Sequence, residues 1–548
     1  MITSRLPDRG SKLAPSRHER HPVESDSDRL FLSDVFPWSS HAGLGADYRP
    51  SCHLPVPVSA SRPESVDGRS PVPSRGTVAR KGGVRSARTG SVVVALLVAA
   101  ACSSVQSDRE SPSVAPPESS ASPDAGPIDE VTVDGMLAHL EALQAIADAH
   151  DGTRVAGSSG FDASTRYVAD VLRATGYEVS FPSTEVPFFE QRGPSAFEQI
   201  EPERRRWIDG RDFRATLFSA SGDVRGAIDR VQGGCRGGDF AGFRVDAVAV
   251  VEPSHECFRR MQVVNAERAG AVAVIAVSTA ERGSPLRPTL VSPDGIDVPV
   301  LSVTAETGEQ LVERSVVRIR TDVSTSFRAV RSVVAELPGA AGRNVVMLGG
   351  HLDSVMDGPG MNDNGSGVAM LLETARWAAG LQPAPSVRFA FWAGEEEGLY
   401  GSWAYAHELG ADELESNAVY VNLDMVASSN FISFVYQPSP ANSEISHRVA
   451  DLFARALQDL GAESQPLDLA GSSDHAAFED VGVPTGGLYS GSQEVKTPAQ
   501  ADEIWEFAGD KLDPCYHQPC DTIDNVSDRA LRLHALALVR VLTALFAA

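Results

Sequence analysis

The segment 349–369 reads GGHLDSVMDGPGMNDNGSGVA and joins the apolar run NVVML to a helical pattern that starts at Gly367. His351 stands at the end of the predicted strand. Asp363 follows it in a loop rich in glycine and asparagine, residues that permit unusual backbone angles and close approach. An imidazole and carboxylates are ligands that suit zinc. This segment therefore predicts a strand, loop and helix that together carry a metal site.

The same alternation of strand and helix continues through 331–548. VVAEL, VRFAFWA and AVYVNLDMV read as strands, whereas 367–379 and 402–409 are helical. VRFAFWA is apolar except for its one arginine, as expected of a strand that is largely buried on both faces. The pattern predicts a three-layer α/β/α fold with a mainly parallel central sheet, in which ligands bind at the carboxyl ends of the strands.

Acidic residues follow two more of the predicted strands. The run EEE at 395–397 comes directly after VRFAFWA and before GLYGS. One interpretation of this run is a set of solvent-exposed charges. The other is a catalytic loop, in which one carboxylate binds metal while its neighbour accepts a proton from water. Asp424 ends the other strand, and a buried carboxylate there needs a partner such as a metal ion.

Two further features complete the predicted site. Asp353 lies two residues after His351, on the same face of the strand, and is placed to accept the ring N–H of that histidine. The motif LDPCYHQPCDTIDN contains Cys515 and Cys520, and a bridge between them would hold Tyr516 and His517 in a small loop.

Together these motifs resemble the two-zinc aminopeptidases of the Streptomyces and Aeromonas type, peptidase family M28, over 128–195 and 331–548. The resemblance implies two zinc ions, a water that bridges them and removal of one residue at a time from the N-terminus of peptides. It implies that His351 and Asp424 bind one zinc ion, that Glu396 and His517 bind the other, and that Asp363 bridges the two. It further implies that Glu395 is the general base, that Tyr516 stabilises the oxyanion, and that the Asp363–Asn364 peptide is cis.

The EEE run offers two adjacent pairs. Aligning WAGEEEGLYGS on Trp392 and the following Gly-Leu selects Glu395 and Glu396, which leaves Glu397 without a role. The element SDH, with Asp474 and His475, also resembles the family, and we expect a structural hydrogen bond for this histidine and not a metal role. Serines precede it where some relatives have a basic residue, so the contacts that anchor the substrate stay open.

Residues 196–330 are predicted to form a separate β-rich insert. AIDRVQ, AVAVVE, AVAVIAV and VPVLSV are β-like, with a helix at 257–269. The pattern resembles the protease-associated (PA) domain, which has no catalysis of its own; an unrelated α/β insertion is the alternative. Cys235 and Cys257, like Cys515 and Cys520, form a local pair without CxxC spacing, which favours disulfides over zinc binding in an exported protein.

The N-terminal residues point to export. A basic stretch precedes SVVVALLVAAA, and 78–102 is predicted to be a signal peptide. The run ends at Cys102, in VAAAC, which resembles a lipoprotein signal with a lipidated cysteine; a plain signal peptide is the alternative. We expect a disordered Ser/Pro-rich tether over 103–127. Residues 1–77 are expected to be disordered or to precede the true start, at Val78. The enzyme would be extracellular or anchored by lipid to the outer face of a bacterial membrane.

Other classes of function are disfavoured by the net charge and by the predicted motifs. The net charge of −25 over 548 residues argues against nucleic acid as a partner. A carboxypeptidase on the same fold would need a basic pocket for the substrate carboxylate, and no arginine motif in the sequence indicates such a pocket. A glutaminyl cyclase would use a single zinc ion, which the five predicted ligands disfavour. Peptides are thus the predicted substrates, while the preferred first residue and the oligomeric state stay open.

Overall fold

The computed structural model describes residues 131–547, apart from 255, 279–285, 341–343, 439–443, 469–470 and 505–506. The predictions for 1–77, for the signal peptide, for the tether and for lipidation of Cys102 lie outside the described residues. Within the described part of the chain, no helix is both long enough and apolar enough to cross a membrane.

The described part of the chain contains the following helices and strands. The helices are α1 (Val133–Ala149), α2 (Ser159–Ala174), α3 (Arg259–Arg268), α4 (Ala305–Gln310), α5 (Gly367–Ala379), α6 (Glu395–Gly398), α7 (Tyr400–Glu408), α8 (Ala411–Ser416), α9 (Glu444–Asp459), α10 (His475–Asp480), α11 (Pro498–Ile504) and α12 (Asp528–Phe546). The strands are β1 (Glu178–Ser180), β2 (Ser183–Gln191), β3 (Ala196–Glu201), β4 (Arg205–Trp207), β5 (Phe213–Ala215), β6 (Gly222–Val231), β7 (Val248–Val251), β8 (Ala273–Val277), β9 (Val300–Val303), β10 (Val316–Thr321), β11 (Val323–Arg331), β12 (Val333–Leu337), β13 (Val345–His351), β14 (Ser386–Trp392), β15 (Asn417–Leu423), β16 (Phe434–Tyr436), β17 (Gln465–Leu467) and β18 (Thr485–Tyr489).

The central sheet has the strand order β1-β12-β14-β13-β15-β18-β16-β17. Its four middle strands, β14, β13, β15 and β18, run parallel, and β12 and β16 flank them antiparallel. Helices cover both faces, as the alternating side chains of β14 show. Phe389 and Phe391 join the core formed with α1, α2, α5 and α12, whereas Trp392 packs against Tyr405 of α7 and Phe478 of α10. The three-layer prediction is confirmed.

Helix α2 begins at Ser159, because Ser158 caps it by accepting a hydrogen bond from the main-chain N–H of Phe161. The segment 178–191, which follows α2, forms two strands that separate at Pro182 and have different partners. β1 pairs with β12 in the central sheet, and β2 pairs with β11 in a separate ribbon.

The ribbon β2–β11 leads into a second sheet with its own core and the order β4-β3-β10-β6-β7-β8-β9-β5. The β-like runs expected in the insert correspond to β6, β7, β8 and β9, which are parallel neighbours. The predicted helix corresponds to α3. A disulfide between Cys235 and Cys257 ties the segment before α3 to the loop after β6.

Gly350 lies where β13 comes close to the end of β15. A Cβ atom there would lie 2.4 Å from the main-chain oxygen of Leu423. We expect Gly350→Ala to lower the free energy of unfolding by about 1–3 kcal/mol, because strand backbone must shift to make room. Chemical denaturation measures this. Gly237→Ala, whose Cβ would meet nothing within 4 Å, is the matched control, and equal stabilities of the two variants would contradict the prediction.

His534 ties α12 to the loops of the central sheet and is fully buried. Its Nδ1 lies 2.7 Å from the carbonyl oxygen of Val426, and its Nε2 lies 2.9 Å from Oγ of Ser433. Since a carbonyl can only accept, Nδ1 carries the proton and Nε2 accepts from the serine. Burial lowers the pKa of His534 from 6.5 to about 4, so the folded protein keeps this ring neutral.

The unfolded chain therefore binds a proton at His534 below about pH 6.5, whereas the folded chain does so only near pH 4. Stability from this residue is lost as the pH falls through that window. We expect His534→Gln to shrink the loss of unfolding free energy between about pH 7 and pH 5 by about 2 kcal/mol, measured by urea denaturation. The exposed His447→Gln should keep the wild-type pH dependence, and an unchanged slope in His534→Gln would refute the assignment.

Candidate metal centre

The fold brings the predicted site residues together at the carboxyl ends of neighbouring parallel strands. His351 is the last residue of β13, and Asp424 directly follows β15. Glu395 and Glu396 lie in the short helix α6, which follows β14. Because β14, β13 and β15 are adjacent, their carboxyl ends meet at one edge of the sheet.

Asp363 lies between two groups of side chains. One oxygen, Oδ1, is 3.2 Å from Nε2 of His351, which is itself 3.4 Å from Oδ1 of Asp424. The other oxygen, Oδ2, is 3.1 Å from Nε2 of His517, which is also 3.1 Å from Oε2 of Glu396. Each oxygen of Asp363 thus lies beside one histidine, and each of these histidines lies beside one further carboxylate.

Several of these polar atoms lack the partners that burial demands. Nε2 of His351, Oε1 of Glu396 and Oδ1 of Asp424 are buried and form no hydrogen bond within the described part of the chain. Buried polar atoms are almost always satisfied, so orphaned ones at a strand end point to a missing partner. Ligand atoms from His351, Asp363 and Glu396 lie within 4.8 Å of one another. Imidazole nitrogens and carboxylate oxygens at these distances fit a zinc ion.

The crowding of buried carboxylates also shifts the pKa values of the two histidines. Burial by itself would lower the pKa of His351, but Glu395 and Asp424 raise it well above its usual range. Burial opposes Glu396 and Asp363 at His517 as well, and the pKa of that ring rises to about 10. The acids therefore hold both imidazoles protonated in the absence of metal. A cation can replace these protons, since it satisfies the same carboxylates.

Asp353 supports the site differently from the prediction. Nδ1 of His351 lies 3.2 Å from the main-chain carbonyl oxygen of Asp353, whereas the carboxylate Oδ1 is 4.0 Å away. The carboxylate instead accepts main-chain N–H groups from 394, 395 and 396, at 2.9, 3.3 and 3.2 Å. The expectation that this carboxylate accepts the ring N–H was wrong, because its oxygens point at the amino end of α6.

Two acids that the sequence analysis did not single out position the loop of Asp363. Asp521 accepts the main-chain N–H of Asn362 at 2.9 Å and that of Asp363 at 3.1 Å. Asp513 accepts from the Asn362 side chain at 2.6 Å and from the N–H of Cys515 at 2.8 Å. Both lie within the motif LDPCYHQPCDTIDN, so their closeness in sequence to Tyr516 and His517 could have indicated them.

Arg154 is a further support, for which the sequence offered no signal. It is fully buried, and its guanidinium donates to the carbonyl oxygens of Leu352, Pro359 and Gly360. Burial lowers its pKa to about 10, so it keeps its positive charge at neutral pH beneath the acidic cluster. It joins α1–α2 to the loop that carries Asp363.

The loop of Tyr516 and His517 is closed by a disulfide between Cys515 and Cys520. The two rings stack, with their centroids 3.8 Å apart. Tyr516 lines a cavity together with Glu395 and four of the five metal-ligand candidates, all except His351. The rest of the cavity wall is formed by Met425, Ser472, Ser473, Tyr489, Ser492 and Glu494. The Asp363–Asn364 peptide is cis, as expected.

The SDH element lies beside the ligands. Ser473 donates to Oδ2 of Asp424 at 2.6 Å and thereby orients it, a contact that the sequence analysis missed. His475 lies outside the cluster, with its ring 4.9 Å from that of Tyr436, and its Nδ1 has no hydrogen-bond partner among the described residues. Glu397 is buried but is not part of the cavity wall.

The sequence matches peptidase family M28 over residues 332–542 and the PA domain over residues 220–311. It is 36% identical over 423 residues to a probable lipoprotein aminopeptidase, LpqL, of Mycobacterium tuberculosis, covering 74% of this chain and 83% of that protein. It is 32% identical over 426 residues to an aminopeptidase of Pseudomonas aeruginosa, covering 74% and 79%.

Solved structures share the fold. An aminopeptidase from Aneurinibacillus sp. strain AM-1 superimposes with a TM-score of 0.61 at 24% identity, covering 76% of this chain and 94% of that one. A zinc aminopeptidase from Bacillus subtilis gives a TM-score of 0.59 at 23% identity, covering 76% and 95%. With the metal centre described above, these similarities lead to one conclusion: the chain belongs to peptidase family M28 and carries a PA domain as an insert.

Proposed function

We propose that the protein is a two-zinc aminopeptidase that hydrolyses the N-terminal residue from peptides. The observation that carries this proposal is the position of Asp363, whose two oxygens lie 3.2 Å and 3.1 Å from histidines of two separate groups. Relatives that are 36% and 32% identical bear the name aminopeptidase, which supports the same activity.

His351 and Asp424 would hold one zinc ion, His517 and Glu396 the other, and Asp363 would bridge them. When bound, the zinc ions supply Lewis acidity and make water a nucleophile near neutral pH. The orphaned atoms Nε2 of His351, Oε1 of Glu396 and Oδ1 of Asp424 support these assignments.

Glu395 is suited to act as the general base. It lines the cavity, and its Oε2 lies 4.0 Å from Nε2 of His351, beyond hydrogen-bond distance. Burial raises the pKa of Glu395 well above its usual range, which matches a group that accepts a proton from water and passes it to the leaving amine.

Tyr516 is suited to stabilise the oxyanion. Burial raises the pKa of its phenol well above the usual range, so the hydroxyl stays protonated and can donate. A donor aimed at a developing oxyanion contributes about 2.7–4 kcal/mol in comparable sites.

The charge of the cavity favours a substrate amine over a substrate carboxylate. Its wall includes the carboxylates of Asp363, Glu395, Glu396, Asp424 and Glu494, and none of the described residues that line it is lysine or arginine. A protonated N-terminus is attracted by such a wall. A C-terminal carboxylate would be repelled, which disfavours a carboxypeptidase.

We also propose that the enzyme is exported and anchored through a lipidated Cys102, with 78–102 as signal peptide and 103–127 as tether. Two disulfides and the lipoprotein name of the relative from Mycobacterium tuberculosis support this. The peptidase domain would comprise 128–195 and 331–548, with the insert over 196–330.

Glu395→Gln should keep zinc binding and lose nearly all turnover, roughly 10²–10⁴-fold in kcat, since the amide cannot accept the proton of the attacking water. Glu397→Gln, two residues further along α6 and outside the cavity wall, is the matched control for the choice between the two acid pairs. Turnover of an aminoacyl anilide measures both. A larger loss in Glu397→Gln than in Glu395→Gln would overturn the assignment of the base.

Metal removal tests the cofactor and the bond that is cleaved. Dialysis against a chelator should abolish release of N-terminal residues from a peptide library, and titration with zinc should restore it with two equivalents bound. Peptides blocked at the N-terminus should resist the holoenzyme. Cleavage of blocked peptides alone, or full recovery at one equivalent, would count against a two-zinc aminopeptidase.

A further inference from the structure

The insert contacts the peptidase half directly beside the metal ligands. The contact is made by 287–291, a segment between β8 and β9 that we call the docking segment. Opposite it lie the loop after β13, which runs from Leu352 to Asp363, and the turn formed by α6 and the start of α7. Both of these elements carry metal-ligand candidates.

The first contact is an ion cluster around Asp357, a residue of the loop after β13. Nε of Arg287 lies 3.0 Å from Oδ2 of Asp357, and Arg214 contacts Oδ1. The three side chains are only 8%, 14% and 9% exposed, respectively, so water screens these charges little. Arg287 also donates to the carbonyl oxygen of Ala215 at 2.7 Å and to the Gln191 side chain at 3.2 Å. These bonds fix Arg287 to the insert and to the ribbon.

The second contact is with the turn that carries Glu395 and Glu396. Oγ1 of Thr289 donates to the carbonyl oxygen of Glu397 at 3.1 Å, and the hydroxyl of Tyr400 donates to the carbonyl oxygen of Val291 at 2.7 Å. Between these hydrogen bonds, the side chain of Val291 packs on Gly398. A Cβ at Gly398 would lie 2.9 Å from Cγ1 of Val291, so this place in GEEEGLYGS has room only for glycine.

The backbone at this contact is strained on the insert side. Val291 has a φ of 66°, in the left-handed region that β-branched residues rarely adopt. Such a conformation persists only where surrounding contacts hold it, and it clusters at functional sites. Here the main-chain N–H of Val291 donates to Thr289 at 2.9 Å, while its carbonyl accepts from Tyr400. The strained backbone of Val291 is thus held by Thr289 and Tyr400, the two residues whose hydroxyl groups form the contact.

From these observations we infer that the docking segment positions the metal centre. Arg287 and Thr289 are positioning residues: the first acts through Asp357 on the loop of Asp363, and the second acts through the Glu397 carbonyl on Glu395 and Glu396. The effect on turnover rests on the proposed aminopeptidase function, whereas the effect on zinc affinity does not. An insert that only limited substrate size would affect neither zinc affinity nor the turnover of small substrates.

The test compares Arg287→Ala and Thr289→Val with the wild-type chain. Zinc affinity is measured on the apoprotein by competition with a chromogenic chelator, and kcat and KM are measured on leucine p-nitroanilide, which is too small to be sorted by length. We expect zinc affinity to fall roughly tenfold, the usual effect of removing a contact that orients ligands. We expect kcat to fall with little change in KM, and Arg287→Lys to restore part of the affinity.

Arg244→Ala is the matched control. Arg244 pairs with Asp229 within the insert, with Nε 2.8 Å from Oδ1, and this pair bridges two segments of the insert itself. It should keep wild-type zinc affinity and kcat. Thermal denaturation in the absence of zinc checks that each variant is folded, and Tyr400→Phe, which loses one hydroxyl, gives a second test if Arg287→Ala does not fold.

Unchanged zinc affinity in folded Arg287→Ala, Thr289→Val and Tyr400→Phe would overturn the inference. So would faster cleavage of long peptides with unaltered turnover of the anilide, which is the signature of steric exclusion. Weaker zinc binding in these variants, together with no release of N-terminal residues from the peptide library by the wild-type holoenzyme, would instead refute the proposed function and leave the positioning role standing.

Discussion

Asp363 is the residue on which the arrangement of the site depends, because its two oxygens face histidines that come from distant parts of the chain. His351 ends a central strand, whereas His517 comes from a disulfide-closed loop far along the sequence. A carboxylate can serve both groups only if its loop is held in one place. Much of the surrounding structure can be understood as the means by which that loop is held.

Two kinds of support act on this loop, and both are electrostatic. Asp521 accepts the main-chain N–H of Asp363 itself, and Arg154 donates to the carbonyl oxygens of the preceding residues. Burial raises the pKa of Asp521 to about 8, so this part of the interior opposes negative charge on a carboxyl group. The supports and the metal site therefore both compensate the negative charge of many carboxylates that lie within a small buried volume.

The insert also contacts the loop of Asp363 through charged side chains. Asp357 belongs to the same loop, and its partners Arg214 and Arg287 belong to the insert. The peptidase half and the insert are thus joined by a paired ribbon and also by a buried ion cluster close to the metal ligands. An inserted domain can in this way influence a metal site through the geometry of the residues it contacts.

The sequence by itself determined the α/β layers and the identity of the candidate ligands. Mostly apolar runs such as VRFAFWA favour buried strands, and such strands end where polar residues begin, so the sequence places His351 and Asp424 at one edge of the sheet. Local spacing also paired Cys515 with Cys520. These inferences succeed because they depend on periodicity and on neighbours in the chain.

Only the tertiary structure decided which atoms make the contacts. It showed that Asp353 supports His351 through its main-chain oxygen, that Ser473 orients Asp424, and that Arg154 lies buried beneath the loop of Asp363. Such contacts join residues far apart in sequence, and a pattern of residue types does not specify the direction of a side chain. The burial of charge, which governs the pKa values of the site and the role inferred for Arg287, is likewise a property of the folded chain alone.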